Sequence, residues 1–334
     1  MKIAIHHSPE SYSTHWIEYC KQKGIDYKIV NAYDSNIVEQ VSDCDAFMWH
    51  HHHADPRDVL FAKQLLYSLE ESGKRVFPDW HTCWHFDDKV GQKYLLEAIG
   101  APLVPSFVFY TKKEALGWIN STTFPKVFKL RGGAGAANVK LVRTAREAKA
   151  LVRKSFGRGF PQFDRLGYLK ERYRKWRLGK ESYVGVLKGL GRLFIVTDFA
   201  KMHPREKGYA YFQEFIPNNS FDTRVVIIGG QKAMVERRYV REGDFRASGS
   251  GKFEYVEADP AVLKIAFDVA NRLKLQTVAF DFIYDKEIPL IVEMSYGFGT
   301  HGIRNCGGYY TADLQWHEES EPDFYGWMIE DLFR

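Results

Sequence analysis

Two acids sit where acids are costly. Asp281 lies in the apolar segment Val278–Ile283, and Glu293 in Leu290–Met294. A carboxylate inside an apolar strand is expensive to bury unless it is paired or bound to a metal. Only a turn at Asp285-Lys286-Glu287 separates the two segments, so the acids can face each other across an antiparallel ladder. Two adjacent hard oxygen ligands suit Mg²⁺ held together with nucleotide phosphates. The alternative is that each acid pairs with a buried Arg or Lys.

A second group of residues fits the phosphates. Lys129 ends an apolar strand and runs into Arg131-Gly132-Gly133-Ala134-Gly135, where small residues let backbone amides approach an anion closely. The pattern is neither G-x-G-x-x-G nor a Walker loop, and a plain hairpin turn is the competing reading. Lys89, after Asp88 at a helix start, is a second cation that could reach phosphate oxygens. We find no Ser–His–Asp or Cys–His signature.

Other clusters carry less chemistry. Four histidines, His50–His53, follow a strand. Adjacent strand residues point to opposite faces, so four in a row cannot all ligate one ion. One or two of them could contact substrate, because ligand crevices of α/β units lie at strand C-ends. His81 and His85 read as packing. Between Arg165 and Arg192 nine Lys or Arg stand against two acids, with Tyr168, Tyr173, Trp176 and Tyr183 interleaved. This insert reads first as a solvated lid surface and second as a contact for an anionic substrate. After Glu293, a glycine-rich stretch over Ser295–Tyr310 contains His301 and Arg304, which could hold a carboxylate.

Strands and helices alternate over residues 2–86, as expected for a small, mostly parallel α/β unit. The periodicity then predicts helices at Asp88–Ile99, Thr144–Lys154 and Pro260–Leu273. It predicts strands at Phe107–Tyr110, Phe124–Leu130, Tyr209–Ile216, Thr223–Ile228, Lys232–Tyr239, Thr277–Tyr284 and Leu290–Met294. Thr144, with Glu147 three residues on, forms a capping box. At 334 residues, 45% hydrophobic and 15% aromatic, the chain can fill two or three packed units. No apolar run reaches the roughly 20 residues of a membrane span, and the N-terminus lacks the pattern of a secretory signal. Four scattered cysteines fit reduced thiols in a cytoplasm. A net charge of +5 is too mild to imply nucleic acid.

The order Asp88-Lys89, Pro125-x-x-x-Lys129, a glycine loop, Gln213-Glu214-Phe215-Ile216, an Arg-bearing strand, Asp281 and Glu293 resembles the ATP-grasp superfamily over roughly residues 86–300. Its members include D-alanine–D-alanine ligase, glutathione synthetase and the ribosomal-protein glutamate ligases. The resemblance implies an α/β fold (an α+β grasp): a preceding domain, 1–86, then a first grasp part and lid, 87–212, and a second part with the metal site, 213–334. It implies that Lys89 and Lys129 contact the α and β phosphates and that Glu214 sits near the ribose. Backbone groups of Phe215 and Ile216 would meet the adenine edge. Arg224, Arg237 or Arg238, and Arg246 match basic positions near the γ-phosphate and the acyl phosphate. Asp281 and Glu293 would hold Mg²⁺, with Mn²⁺ as substitute. Where the family usually has Asn, two residues after the metal Glu, this chain has Ser295. The glycine loop and Arg246–Lys252 would close over the site.

The expected activity is ATP-dependent ligation of a carboxylate, a small molecule or sugar, to an amine through an acyl phosphate. ADP and phosphate would be released, without a nucleic-acid partner, by a chain that could form a homo-oligomer. The rivals are a kinase on the same fold, a non-catalytic nucleotide-binding module, and a glycan-binding protein that uses the aromatic insert.

Overall fold

Three sheets carry the periodicities. The computed structural model describes residues 1–9, 11–133, 138–161, 169, 172–173, 176–177, 179, 182–194 and 205–334. The first unit runs β1 (Lys2–His6), α1 (Ser13–Lys23), β2 (Asp26–Val30), α2 (Ile37–Gln40), β3 (Ala46–Met48), α3 (Pro56–Glu71), β4 (Arg75–Phe77) and α4 (Trp80–Cys83). Its strands lie in the order β2-β1-β3-β4, all parallel. Gly24 ends α1 at φ 66, with its N–H on the Cys20 and Lys21 carbonyls, a left-handed cap that glycine adopts without strain. Asp55 opens α3 by accepting from Arg57 N, ahead of Pro56 at the first turn.

The second unit holds α5 (Lys89–Ala98), β5 (Ser106–Phe109), α6 (Lys112–Ser121), β6 (Lys126–Lys129), β7 (Val139–Val142), α7 (Ala145–Ser155), α8 (Tyr183–Phe194) and β8 (Ala210–Glu214). Its antiparallel sheet is ordered β5-β8-β6-β7. Ala115 and Ile119 of α6 and Ala148 and Val152 of α7 bury one face against Phe128 and Phe212. Thr144 accepts from Glu147 N as the capping box requires, while the Glu147 carboxylate reaches back to Arg143 N rather than to Thr144 N. Much of the basic insert lies outside the described residues, so its readings as lid or substrate contact do too.

The third sheet has seven strands: β9 (Phe221–Ile228), β10 (Lys232–Tyr239), β11 (Phe253–Glu254), β12 (Thr277–Asp285), β13 (Ile288–Ser295), β14 (Gly308–Thr311) and β15 (Trp316–Glu318). The order is β13-β12-β9-β10-β14-β15, with β11 beside β10. Helix α9 (Pro260–Arg272) covers one face, where Val225, Ile227, Val278 and Phe280 meet Val262, Ala266 and Val269. The other face has two halves. At one end Val226, Ile228, Met234 and Ala279 pack against the first unit and against α10 (Phe324–Asp331), in one core with Trp16, Phe77 and Met328. Further along the same strands that face turns charged, and the candidate site begins there.

Candidate active site

The charged half of the face is a row set by strand register. Glu293 lies directly opposite Asp281, Asp281 opposite Arg224, and Arg224 opposite Glu236. Paired residues of adjacent strands share a face, so four neighbouring strands, β13-β12-β9-β10, point these four side chains the same way. Arg238, two residues after Glu236, and Asp222, opposite Arg238, join them. The register expected for Asp281 and Glu293 is thus present.

Asp281 is also paired as the alternative reading required. Arg224 forks onto it at 2.8 and 3.0 Å, and Arg238 reaches Oδ2 at 2.8 Å while forking onto Asp222 at 2.7 and 2.6 Å. Burial alone would push the Asp281 carboxyl up, but the two guanidiniums hold it well below the usual carboxylate range. Asp222, buried beside it, is pushed up to about 6.

An ionised carboxylate offers about four lone-pair positions. Three of those of Asp281 are taken by N–H groups, and one on Oδ1 is left open. Glu293 is 38% exposed, with the Lys89 ammonium 3.9 Å away. Ser295 points to the same face and donates to Gly297 O at 2.6 Å, which leaves its hydroxyl oxygen as an acceptor. Two carboxylates and a neutral oxygen fit a cation that completes its shell with phosphates and water. Among the described residues no cluster of three or more His, Cys, Asp or Glu could hold a metal without such help.

A cleft of about 160 Å³ opens between the second sheet and this face, and Lys89, Lys129, Glu214, Phe215, Ile216, Arg246, Asp281 and Glu293 all line it. The structure thus brings most of the expected nucleotide residues together. Burial pulls the Lys129 ammonium down to about 8, against the pull of Glu293. Lys89, the first residue of α5, follows Asp88, whose carboxylate caps Val90 N and Gly91 N at 3.1 and 2.9 Å. Arg246 forks onto Asp244.

At the described start of the glycine loop, one amide is engaged within the fold rather than free for phosphate. On either side of the loop, β6 and β7 pair antiparallel, with Lys129 opposite Val139. Gly133 N donates to Asp87 Oδ1 at 2.7 Å, and Gly133 O accepts from Lys89 at 2.9 Å. Two bonds therefore tie the described start of the loop to the beginning of α5. Gly133 has φ 108, and a Cβ there would lie 2.9 Å from Asn138 Nδ2. Gly132 would bring its Cβ to 3.0 Å from the Asp87 carboxylate. Gly135 lies outside the described residues.

A second cavity of about 800 Å³ shares Lys89, Gly133, Ser248 and Glu293 with the cleft. Arg224, Glu236, Arg238, His301 and Arg304 line it, as do His50, His52 and His53. Three of the four histidines therefore reach a cavity wall. Burial first, then neighbouring histidines, pull His50 down to about 3, and burial takes His53 to about 4, so both are neutral. His50 stacks on Tyr12 at 3.6 Å. Arg304 contacts His15 Nε2 at 2.9 Å and Tyr325 OH at 3.3 Å. His85 is fully buried, in keeping with a packing role.

Four residues escaped the sequence reading. Glu236 and Asp222 were visible as charges in strand register with Arg238 and Arg224. Lys126, buried, grips both oxygens of Glu214 at 2.7 Å, and Asp87 holds the loop. Nothing in their local sequence marks the last two.

Residues 205–313 match the family model of the RimK-like ATP-grasp domain. "Probable alpha-L-glutamate ligase" of Aliivibrio fischeri (strain MJ11) is 29% identical over 140 residues, 41% of this chain and 42% of the relative. The protein of the same name from Legionella pneumophila (strain Corby) is 30% identical over 115 residues, 34% of this chain and 37% of the relative. The chain thus spans about two fifths of the length of these curated relatives. Among solved structures, the RimK domain protein ATP-grasp from Sphaerobacter thermophilus DSM 20745 superposes with a TM-score of 0.60 at 16% identity, covering 99% of this chain and 98% of that one. D-alanine–D-alanine ligase from Bacillus anthracis complexed with ATP gives a TM-score of 0.55 at 12% identity, covering 92% and 90%. The ATP-grasp ligase PsnB complexed with precursor peptide PsnA2 and AMPPNP gives 0.55 at 13%, covering 100% and 98%. The chain has the ATP-grasp fold, and residues 205–313 are similar to the RimK-like ATP-grasp domain.

Proposed function

We propose that this protein is an ATP-dependent carboxylate–amine ligase that works through an acyl phosphate and releases ADP and phosphate. The observation that carries the reading is the meeting of two cavities at Lys89 and Glu293, one suited to a nucleotide and the other lined by arginines. ATP would lie in the cleft, its adenosine by Glu214, Phe215 and Ile216 and its phosphates by Lys89 and Lys129. Mg²⁺, or Mn²⁺ in its place, would be held by Glu293, the free lone pair of Asp281 and Ser295. Bound there it would neutralise phosphate charge. Arg224, Arg238 and Arg246 would steady the phosphoryl group as it moves, since this chemistry needs placement and charge rather than a nucleophilic side chain. The donor carboxylate would enter from the second cavity, with Arg304 and His301 as its far contacts, and the amine would follow. Walls that exclude water protect the acyl phosphate from hydrolysis. Four free, buried cysteines suit a reducing compartment, and we place the protein in the cytoplasm. Among the described residues no helix is long and apolar enough to cross a membrane.

The test is turnover of Mg-ATP with hydroxylamine and a pool of amino acids, L-glutamate among them, and uronic acids. ADP with hydroxamate supports the ligase. AMP in place of ADP would indicate adenylation, and ADP without hydroxamate a kinase or an idle ATPase. Either result sinks the reading.

A further inference from the structure

Glu236 is unused by the nucleotide chemistry, yet the fold goes to some length to bury it. It is 2% exposed, its Oε2 has no hydrogen-bond partner among the described residues, and it lines the second cavity. Two arginines stand next to it without serving it: Arg224 forks onto Asp281, and Arg238 onto Asp222. Its own place is made by a glycine, because a Cβ on Gly302 would fall 1.8 Å from Oε2. Leaving a buried carboxyl unpaired costs free energy, so a fold that keeps one at a cavity wall keeps it available to a ligand.

Position decides which ligand. In the row Glu293–Asp281–Arg224–Glu236 the metal-holding acids stand at one end and Glu236 at the other. At about 4.8 Å per strand, its Cα is roughly 10 Å from that of Asp281. Glu236 lines the second cavity and not the cleft, so with ATP in the cleft as proposed it stands on the side left open to an amine. Amines arrive as ammonium ions, which have no lone pair for attack.

We propose that Glu236 binds the acceptor's ammonium and takes its proton, serving as the general base of the ligation. This rests on the ligase reading above. In the step, R–NH₃⁺ gives one proton to the Glu236 carboxylate and becomes R–NH₂. The nitrogen lone pair forms the C–N bond at the acyl carbon, and the C–O bond to phosphate breaks, its electron pair leaving with the phosphate. The second N–H proton goes to the departing phosphate, and Glu236 later returns its proton to water. A general base works best when its proton affinity lies near the working pH. Burial pushes the Glu236 carboxyl up to about 7 against the pull of Arg224 and Arg238, with Asp281 and Asp222 adding to the rise. Among the described residues, the phenol of Tyr255, held on Gly302 O at 2.6 Å, the Cys306 thiol and His301, beside Gly302 on the same cavity wall, are further titratable groups nearby.

Two small nucleophiles separate the roles. Hydroxylamine is largely unprotonated at neutral pH and needs no base, whereas methylamine is protonated and does. Wild type, Mg-ATP and the carboxylate pool should yield hydroxamate with the first and methylamide with the second. Methylamide formation should fall on the acid side of Glu236's ionisation, while hydroxamate formation should not. Glu236→Gln, nearly isosteric, should keep hydroxamate formation and lose methylamide formation about 10²-fold or more, with recovery as rising pH deprotonates the amine itself. Equal loss of both products, loss of neither, or wild-type hydroxamate without methylamide would overturn the proposal. Absence of hydroxamate from wild type would instead fell the ligase reading, and this proposal with it.

Discussion

Replacing Asp281 by Ala tests the paired site most directly. The change removes the acceptor of three guanidinium N–H groups, leaving Arg238 its fork onto Asp222 and Arg224 buried without one. Breaking a buried pair from one side costs about 3–5 kcal/mol, because the uncompensated charge stays behind. Unfolding entropy is about 2.1 cal/mol/K per residue, or roughly 0.7 kcal/mol/K for the 334 residues, so Tm should fall by about 4–7 °C. The same scan with Mg-ATP reads the second role: wild type should gain Tm from ATP with Mg²⁺ and less from ATP with a chelator, and Asp281→Ala should lose that difference. A variant with unchanged Tm would refute the electrostatic argument. One that kept the full Mg²⁺-dependent gain would show that the arginines, not a metal, are the sole business of Asp281.

Three further outcomes follow from the same geometry. Glu236, raised from 4.5 to about 7 by burial, stabilises the fold fully below its unfolded value, and that contribution is lost as pH rises towards 7. Glu236→Gln should therefore gain on wild type by roughly 3 kcal/mol between pH 4.5 and 7.5 in urea titrations, and a pH-independent difference would contradict the burial argument. Lys129, drawn down to about 8, is half deprotonated at pH 8. ATP binding there should take up about half a proton in calorimetry across buffers of different ionisation enthalpy, and equal uptake by Lys129→Met would assign the proton elsewhere. Gly302→Ala puts a Cβ 1.8 Å from Glu236 Oε2 and 2.9 Å from the Phe253 ring, so overpacking should cost about 1–3 kcal/mol in urea midpoint together with amide formation. An unaffected variant would mean the turn yields freely.

Much of this was legible in the chain. Asp281 and Glu293 announce themselves because a charge in an apolar strand is conspicuous, and the turn between them fixes their register. The signal missed on β9 and β10 is of the same kind. Asp222, Arg224, Val226, Ile228 and Met234, Glu236, Arg238 alternate in step and switch from apolar to charged partway along one face. Helix α6 and the elements after residue 308 carry no comparable signal. Short, mixed segments such as Lys112–Ser121 acquire their apolar stripe only in view of the sheet they cover. Lys126 and Asp87 could not be read at all, since their partners lie 88 and 46 residues away.

The core around α1 has a consequence for the order of events in folding. Tyr12 donates to Phe298 O across 286 residues, and Tyr19 donates to Glu330 on α10 across 311. Chains grow at about 5–20 residues per second, so α1 leaves the ribosome roughly 15–60 s before its partners exist. During that interval Tyr12, Trp16 and Tyr19 have no cover from α10 or from the third sheet. The first unit is a waiting half-core, and its apolar side is the surface that a holding chaperone would meet.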